Sequence, residues 1–85
     1  MSTRIRLQRT GAKNLPFYRI VVTDSRASVK GKYIEKLGWY DPRTKKIGAD
    51  KERILDWIGK GAQLSNSAKK LLLNFSILSR DEISS

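Results

Sequence analysis

The chain has 85 residues, of which 39% are hydrophobic and 31% are charged, and its formal net charge is +10. This length predicts one small domain over residues 1–85, and the apolar content is too high for a fully disordered polybasic tail. The sequence contains no cysteine and no histidine, which excludes disulfides, thiolate metal sites and histidine-dependent catalytic groups. We therefore expect a binding protein that is not an enzyme and needs no metal or cofactor.

Most of the positive charge lies in the first half of the chain. Residues 1–46 contain twelve Lys or Arg and three acidic residues, a formal charge of +9, whereas residues 47–85 contribute +1. Like charges crowded into one folded half repel each other unless a polyanion binds nearby. Because nucleic acid is the commonest polyanion in cells, this distribution predicts binding to RNA or DNA.

The first two predicted strands form a hairpin. Residues 4–9 alternate charged and apolar side chains, which predicts a half-buried strand with a cationic outer face. Residues 10–14 are predicted to form a loop closed by Pro16, longer than the two residues of a tight hairpin. Residues 17–23 are rich in β-branched and aromatic side chains and predict a central strand.

Further turn and strand signals follow the hairpin. Residues 24–32 are polar and predict a loop, and residues 33–40 predict a third strand. Gly38 inside that strand indicates a bulge or a close backbone approach. Residues 41–44 (Asp-Pro-Arg-Thr) predict a turn, and residues 45–48 predict a short fourth strand.

The second half of the chain has helical patterns. Asp50 is a predicted N-cap of a first helix, which Gly59 and Gly61 are predicted to end. Ser65 or Ser67 is predicted to begin a second helix with apolar residues at i, i+3, i+4 and i+7. Beyond these helices, residues 76–85 predict a flexible tail.

Strands followed by helices predict an α+β fold: a small antiparallel or mixed β-sheet from the N-terminal half, with two short helices from the C-terminal half packed on it. The predicted core joins the two halves and consists of Ile5, Leu7, Ile20, Val22, Ile54, Leu55, Ile58, Leu71, Leu72 and Phe75.

Basic side chains of the first half are the candidate phosphate contacts, although surface charge also serves solubility. They are Arg4, Arg6, Arg9, Lys13, Arg19, Arg26, Lys30, Lys32, Lys36, Arg43, Lys45 and Lys46. Among them, Arg6, Arg9, Arg19 and Arg26 are predicted to converge on one RNA-facing surface of the hairpin and the loop after it. Arginine suits this role because its planar fork donates two hydrogen bonds to a phosphate.

The aromatic residues divide between core packing and base stacking. Phe17, Trp57 and Phe75 lie in apolar patterns and are predicted to be core residues. Tyr18, Tyr33 and Tyr40 lie beside basic residues, so both roles stay open for them.

Two other functions fit the sequence less well. A sequence-specific regulator would need a recognition helix, but the helical segments are the least basic part of the chain. An enzyme acting on nucleic acid would need carboxylates clustered around metal ions, and the eight acidic residues are scattered.

No apolar run approaches the ~20 residues that cross a bilayer, so we expect no membrane partner. The charged Arg4 comes directly after Met1-Ser2-Thr3, so no apolar segment stands at the N-terminus. We therefore expect neither a signal peptide nor a transit peptide. We also expect no small-molecule substrate and no homo-oligomer.

Several separated motifs occur along the chain. They are Arg4 to Gly11, Pro16 to Val22 with Asp24-Ser25-Arg26, Gly31, Ile34-Glu35-x-x-Gly38, Tyr40-Asp41-Pro42, Trp57-Ile58-x-x-Gly61-Ala62-Gln63-x-Ser65, and Leu71-Leu72. In this order they resemble the small-subunit ribosomal protein S16 family of bacteria and organelles, from about Thr3 to Phe75.

The resemblance implies a structural protein that binds and stabilises ribosomal RNA, mainly the 5′ domain of the small subunit, during assembly and in translation. Neighbouring small-subunit proteins are the other implied partners. The implied location is the ribosome of the bacterial cytoplasm, or of a plastid or mitochondrion.

The RNA-facing positions that the resemblance implies are Arg4, Arg6, Arg9, Lys13, Tyr18, Arg19, Ser25, Arg26, Lys32 and Tyr40. Charge adds four residues to this RNA-binding set: Lys30, Arg43, Lys45 and Lys46. The chain has Val29-Lys30-Gly31 where the family often has an Arg-Asp-Gly-like segment, and Lys30 would supply the missing charge from the next position.

Overall fold

The computed structural model describes residues 3–24 and 33–83. Four strands come first along the chain: β1 (Thr3–Ala12), β2 (Leu15–Asp24), β3 (Glu35–Asp41) and β4 (Lys46–Ala49). They are followed by helix α1 (Lys51–Gly59), the two-residue strand β5 (Gln63–Leu64), helix α2 (Asn66–Asn74) and the short helix α3 (Arg80–Ile83). This is the predicted α+β fold, with β5 and α3 as elements that the sequence did not indicate.

The strands form one mixed sheet in the order β4-β3-β2-β1-β5. The pairs β1–β2, β2–β3 and β3–β4 are antiparallel, whereas β5 runs parallel to β1. Strand β2 therefore lies at the centre of the sheet, which confirms the prediction for residues 17–23.

The β1–β2 hairpin is tighter than the sequence predicted. Its register is continuous from Thr3 opposite Asp24 to Ala12 opposite Leu15, so only Lys13 and Asn14 remain in the loop. The predicted longer loop is wrong because β1 continues through Gly11, which adopts a φ of +88°. A Cβ at that position would lie 2.6 Å from the Leu15 carbonyl oxygen, so only glycine fits this approach.

Strand β3 contains the irregularity that Gly38 predicted. The register passes from Ile20 opposite Gly38 to Val21 opposite Lys36, which leaves Leu37 as an extra residue. The bulge turns Leu37 into the core, where only 2% of its surface is exposed. The backbone also comes close at Gly38, since an added Cβ would lie 2.2 Å from the Gly48 carbonyl oxygen.

Side chains cap both main helices as the sequence predicted. The Asp50 side chain accepts a hydrogen bond from the Arg53 N–H at 3.2 Å, and Ser65 accepts one from the Ala68 N–H at 3.2 Å. The backbone N–H of Asp50 donates to the Leu37 carbonyl at 2.8 Å, and that of Ser65 donates to Ile5 at 2.9 Å. Each helix therefore begins at a residue whose backbone is tied to a strand.

The helices cover one face of the sheet, where the core lies. Of the ten predicted core residues, Ile5, Ile20, Val22, Ile54, Leu71 and Leu72 are buried. The other four, Leu7, Leu55, Ile58 and Phe75, are half-buried and pack against them. The protein is only 18 Å thick along its shortest axis, which fits one sheet and one layer of helices.

The segment after α2 makes contacts that the prediction of a flexible tail did not include. The Leu78 side chain is 2% exposed and belongs to the core cluster. Glu82 in α3 pairs with Lys51 at the start of α1, with 3.4 Å between Nζ and Oε2. Residues 76–82 are therefore folded back on the helices. The predicted flexibility of residues 76–85 stays a prediction.

An ion pair links the sheet to α1. The guanidinium of Arg53 on α1 donates from Nε to the Glu35 carboxylate on β3 at 2.8 Å. This hydrogen bond holds the pKa of Glu35 below its ordinary value of 4.5, and it outweighs the opposing effect of desolvation. Because the folded state favours the charged carboxylate, the pair stabilises the fold above about pH 4.5 and loses this contribution on acidification.

We expect the Glu35→Gln variant to lose less stability than the unmodified protein as pH falls from about 7 to about 3. Urea midpoints measured across this range provide the test. Glu52→Gln, a change at an exposed position in the first turn of α1, is the matched control. Equal acid sensitivity of Glu35→Gln and the unmodified protein would contradict a stabilising role for the pair.

Candidate nucleic-acid interface

The sheet face opposite the core carries a group of cations. Alternation along β1 turns Arg4 and Arg6 away from Ile5, and the register places Arg19 opposite Gln8 on the same side. Lys36 opposite Val21 and Lys46 opposite Asp41 continue this side across β3 and β4. We term the surface formed by Arg4, Arg6, Arg19, Lys36 and Lys46 the outer face.

The cations of the outer face lack anionic partners within residues 3–24 and 33–83. Arg4, Arg6, Lys36 and Lys46 are exposed, and Arg19 is half-buried. Among the ion pairs of the described residues, none includes one of these five side chains. Their charge is thus available to an external anion.

The helical side of the molecule is electrostatically different. Arg53 pairs with Glu35 and Asp56, and Lys60 pairs with Asp56 at 3.1 Å. Lys51 pairs with Glu82. Three of the basic side chains on this side are therefore matched by acids, whereas none of the five cations of the outer face is.

Arg9 does not join Arg6 and Arg19. Its register partner is Tyr18, and the pair lies on the same side as Leu7 and Ile20. Arg9 donates from Nη2 to the Lys13 carbonyl oxygen at 3.0 Å, which holds it against the hairpin loop. The predicted convergence is therefore wrong for Arg9, because it is three residues from Arg6 and a strand alternates every two.

Tyr18 and Tyr40 also lie on the helix side, at the margin of the core. Their rings stack with centroids 6.4 Å apart, and the rings of Tyr40 and Phe75 make a T-shaped contact with centroids 5.4 Å apart. Both tyrosines are half-buried. Together with Arg9 and Lys13 they form a second candidate surface, at the hairpin end and distinct from the outer face.

The predicted core position of Phe17 is wrong. Phe17 is two residues from Arg19 and therefore lies on the outer face, where it stacks on Trp39 with centroids 5.9 Å apart. Trp57 and Phe75 pack against the core as predicted. The third tyrosine left open by the sequence, Tyr33, is 38% exposed just before β3.

The β3–β4 turn adds cations at the same end of the sheet as the hairpin loop. Arg43 and Lys45 are exposed in this turn. The Asp41 carboxylate accepts the Arg43 backbone N–H at 3.0 Å and lies 3.9 Å from its Nε. Four predicted RNA-binding residues, Ser25, Arg26, Lys30 and Lys32, lie outside the described residues.

Within residues 3–24 and 33–83, no group of three or more His, Cys, Asp or Glu side chains could hold a metal ion. No helix there has the length and apolar character needed to cross a membrane.

Comparisons with known proteins agree with the motifs. Residues 9–65 match the family model described as ribosomal protein S16. The chain is 49% identical over 80 residues to the small ribosomal subunit protein bS16 of Desulforamulus reducens, covering 92% of this chain and 90% of the relative. It is 48% identical to that of Syntrophomonas wolfei, covering 94% and 93%, and 45% identical to that of Petrotoga mobilis, covering 94% and 75%. The chain belongs to the ribosomal protein S16 family.

Proposed function

We propose that this protein is a structural constituent of the small ribosomal subunit that binds ribosomal RNA through its sheet. Family membership supports the ribosomal role, since the relatives carry the name of a small-subunit protein. It also agrees with the sequence-based expectation of a binding protein rather than an enzyme. The bacterial relatives favour the ribosome of a bacterial cytoplasm over that of an organelle.

The observation that supports RNA binding most strongly is the set of unpaired cations on the outer face. Side chains two residues apart on a strand, such as Arg4 and Arg6, are separated by only about 6–7 Å. Among the described residues no carboxylate lies within ion-pair distance of these cations, so the fold holds their charges at an electrostatic cost. Phosphates along an RNA backbone would relieve this repulsion, and arginine can bind each one through two hydrogen bonds.

The proposed interface extends beyond the outer face. Its further contacts come from the hairpin end and the β3–β4 turn: Arg9, Lys13, Tyr18, Tyr40, Arg43 and Lys45. Ser25, Arg26, Lys30 and Lys32 remain proposed contacts of the segment between β2 and β3. We place the bound RNA in the 5′ domain, with other small-subunit proteins alongside, as the family resemblance implies.

Binding of a structured fragment of small-subunit RNA should depend strongly on salt. Each phosphate contact releases counterions, so the logarithm of the affinity should fall against the logarithm of salt concentration by about 0.7 to 0.9 per contact. Filter binding or fluorescence anisotropy at several salt concentrations measures this slope. A slope near zero would contradict binding through phosphates.

Association with intact subunits provides a second test of the same proposal. If the protein is a resident structural component, it should sediment with small subunits after a wash in high salt. Complete loss in such a wash, with all protein recovered in the supernatant, would instead indicate a weakly attached factor.

A further inference from the structure

An aromatic pair lies on the outer face among the cations. The rings of Phe17 on β2 and Trp39 on β3 are inclined by only 14°, with centroids 5.9 Å apart. Trp39 is 37% exposed, one of four large hydrophobic side chains with high exposure among the described residues. Tryptophan in this setting presents a large π-surface to whatever binds the outer face.

The backbone of the neighbouring strand fixes the position of Trp39. Gly48 on β4 is its register partner, and a Cβ on Gly48 would come within 2.5 Å of the indole Nε1. The indole therefore occupies the space that a side chain at position 48 would fill. With Phe17 stacked on it as well, the ring is held before any ligand arrives, which lowers the entropy cost of stacking.

Cations surround this pair. Arg19 is the register partner of Trp39 on β2, and Lys46 is two residues before Gly48 on the same side of β4. A partner that matches both features must carry planar aromatic groups and closely spaced negative charges. Unpaired nucleotides have both, whereas bases inside a duplex have their faces covered by their neighbours.

We propose that Trp39, supported by Phe17, stacks on an unpaired nucleobase whose flanking phosphates contact Arg19 and Lys46. This inference rests on the proposed binding of RNA and adds that the bound RNA includes a single-stranded nucleotide at the β2–β3–β4 end of the outer face. An aromatic pair that served only the stability of the sheet would have no effect on the choice between single-stranded and duplex RNA.

The test compares two RNA probes of equal phosphate number: single-stranded oligoadenylate and a fully paired duplex. Trp39→Ile removes the π-surface but keeps a residue favoured in strands, and Trp39→Phe keeps an aromatic ring. We expect Trp39→Ile to weaken binding of the single strand about 10-fold, with duplex binding unchanged. Trp39→Phe should retain most of the affinity.

A spectroscopic measurement keeps the proposal testable even if Trp39→Ile does not fold. OligoA should quench the tryptophan emission of the unmodified protein, and the duplex should not, because only an unpaired base can stack on the indole. The salt dependence of RNA binding should be the same in Trp39→Ile and Trp39→Phe, since stacking releases no counterions.

The outcomes separate this inference from the proposed function. Equal losses on both probes, or no loss in a folded Trp39→Ile variant, would overturn the stacking site while leaving phosphate binding intact. Loss of incorporation into subunits without any change in RNA affinity would also overturn it, because the pair would then contact a protein. Absence of salt-dependent binding to either probe would instead contradict the proposed function itself.

Discussion

Replacing Leu72 by Ala should lower the free energy of unfolding by about 2–5 kcal/mol. Leu72 on α2 is fully buried in the cluster that joins the sheet to the helices. Its backbone carbonyl also accepts hydrogen bonds from the N–H groups of Ile77 and Leu78, at 2.9 and 3.3 Å. A cavity at this position would therefore weaken both the α2–sheet contact and the segment that folds back after α2.

Urea unfolding followed by circular dichroism measures this change. Leu15→Ala is the matched control, since the same atoms are removed from a side chain that is 48% exposed. It should cost about 0.5 kcal/mol or less. Total stabilities of small domains are only about 5–15 kcal/mol, so Leu72→Ala could leave a substantial unfolded population. Equal urea midpoints for the two variants would show that α2 is not part of the cooperative core.

The two helix ends show where the sequence was sufficient and where it was not. After α1, the N–H of Gly61 donates to the Ile58 carbonyl and that of Ala62 donates to Trp57, with Gly61 at a φ of +100°. This is a Schellman ending with glycine at the left-handed position, which is the usual sequence signal. The end of α1 was therefore predictable.

The same ending follows α2 without that signal. Here the N–H of Ser76 donates to Leu73 and that of Ile77 donates to Leu72, and Ser76 has a φ of +57°. Serine rarely adopts this conformation, so the chain reversal had no visible marker in the sequence. Because the reversal was missed, the core position of Leu78 was missed as well.

Strand alternation correctly predicted the outer-face positions of Arg4 and Arg6, whereas the positions predicted for Arg9 and Phe17 were wrong. Because side chains alternate along a strand, Arg4 and Arg6 are expected on the face opposite Ile5, and the structure places them there. The same alternation of side chains places Arg9 on the helix side of the sheet and Phe17 on the outer face. Arg9 was expected at a strand end, but β1 continues to Ala12 and alternation therefore still governs Arg9. Phe17 was assigned to the core from its apolar sequence neighbours instead of from its position in the period of two.

Other features depend on contacts between segments that are distant in sequence. Strand β5 has only two residues and is defined by its parallel pairing with β1. Leu37 reaches the core only because β2 and β3 change register beside it. The placement of Trp39 over Gly48 likewise requires the register of β3 with β4, so no pattern within either strand could reveal the aromatic pair.

Replacing Arg4, Arg6 and Arg19 together by Gln should weaken RNA binding about 100-fold near 0.15 M salt. This magnitude follows from counterion release. Each phosphate contact raises the binding affinity about five-fold at about 0.15 M salt compared with 1 M salt. The salt slope should also fall by about 2 to 3 for the three contacts. Glutamine keeps much of the apolar stem of arginine, so the fold should persist and lose only the repulsion between the cations.

A matched control carries the same loss of charge on the helical side: Lys60, Lys69 and Lys70 replaced by Gln. These lysines are exposed on or just after the helices, and their loss changes the net charge equally without altering the outer face. If binding depends on the position of the charges, the control should retain most of the affinity and most of the salt slope. Equal losses in the two triple variants, with circular dichroism showing both folded, would mean that only net charge matters. Normal incorporation of the Arg4, Arg6 and Arg19 variant into small subunits would place the RNA surface elsewhere, first at the hairpin end and the β3–β4 turn.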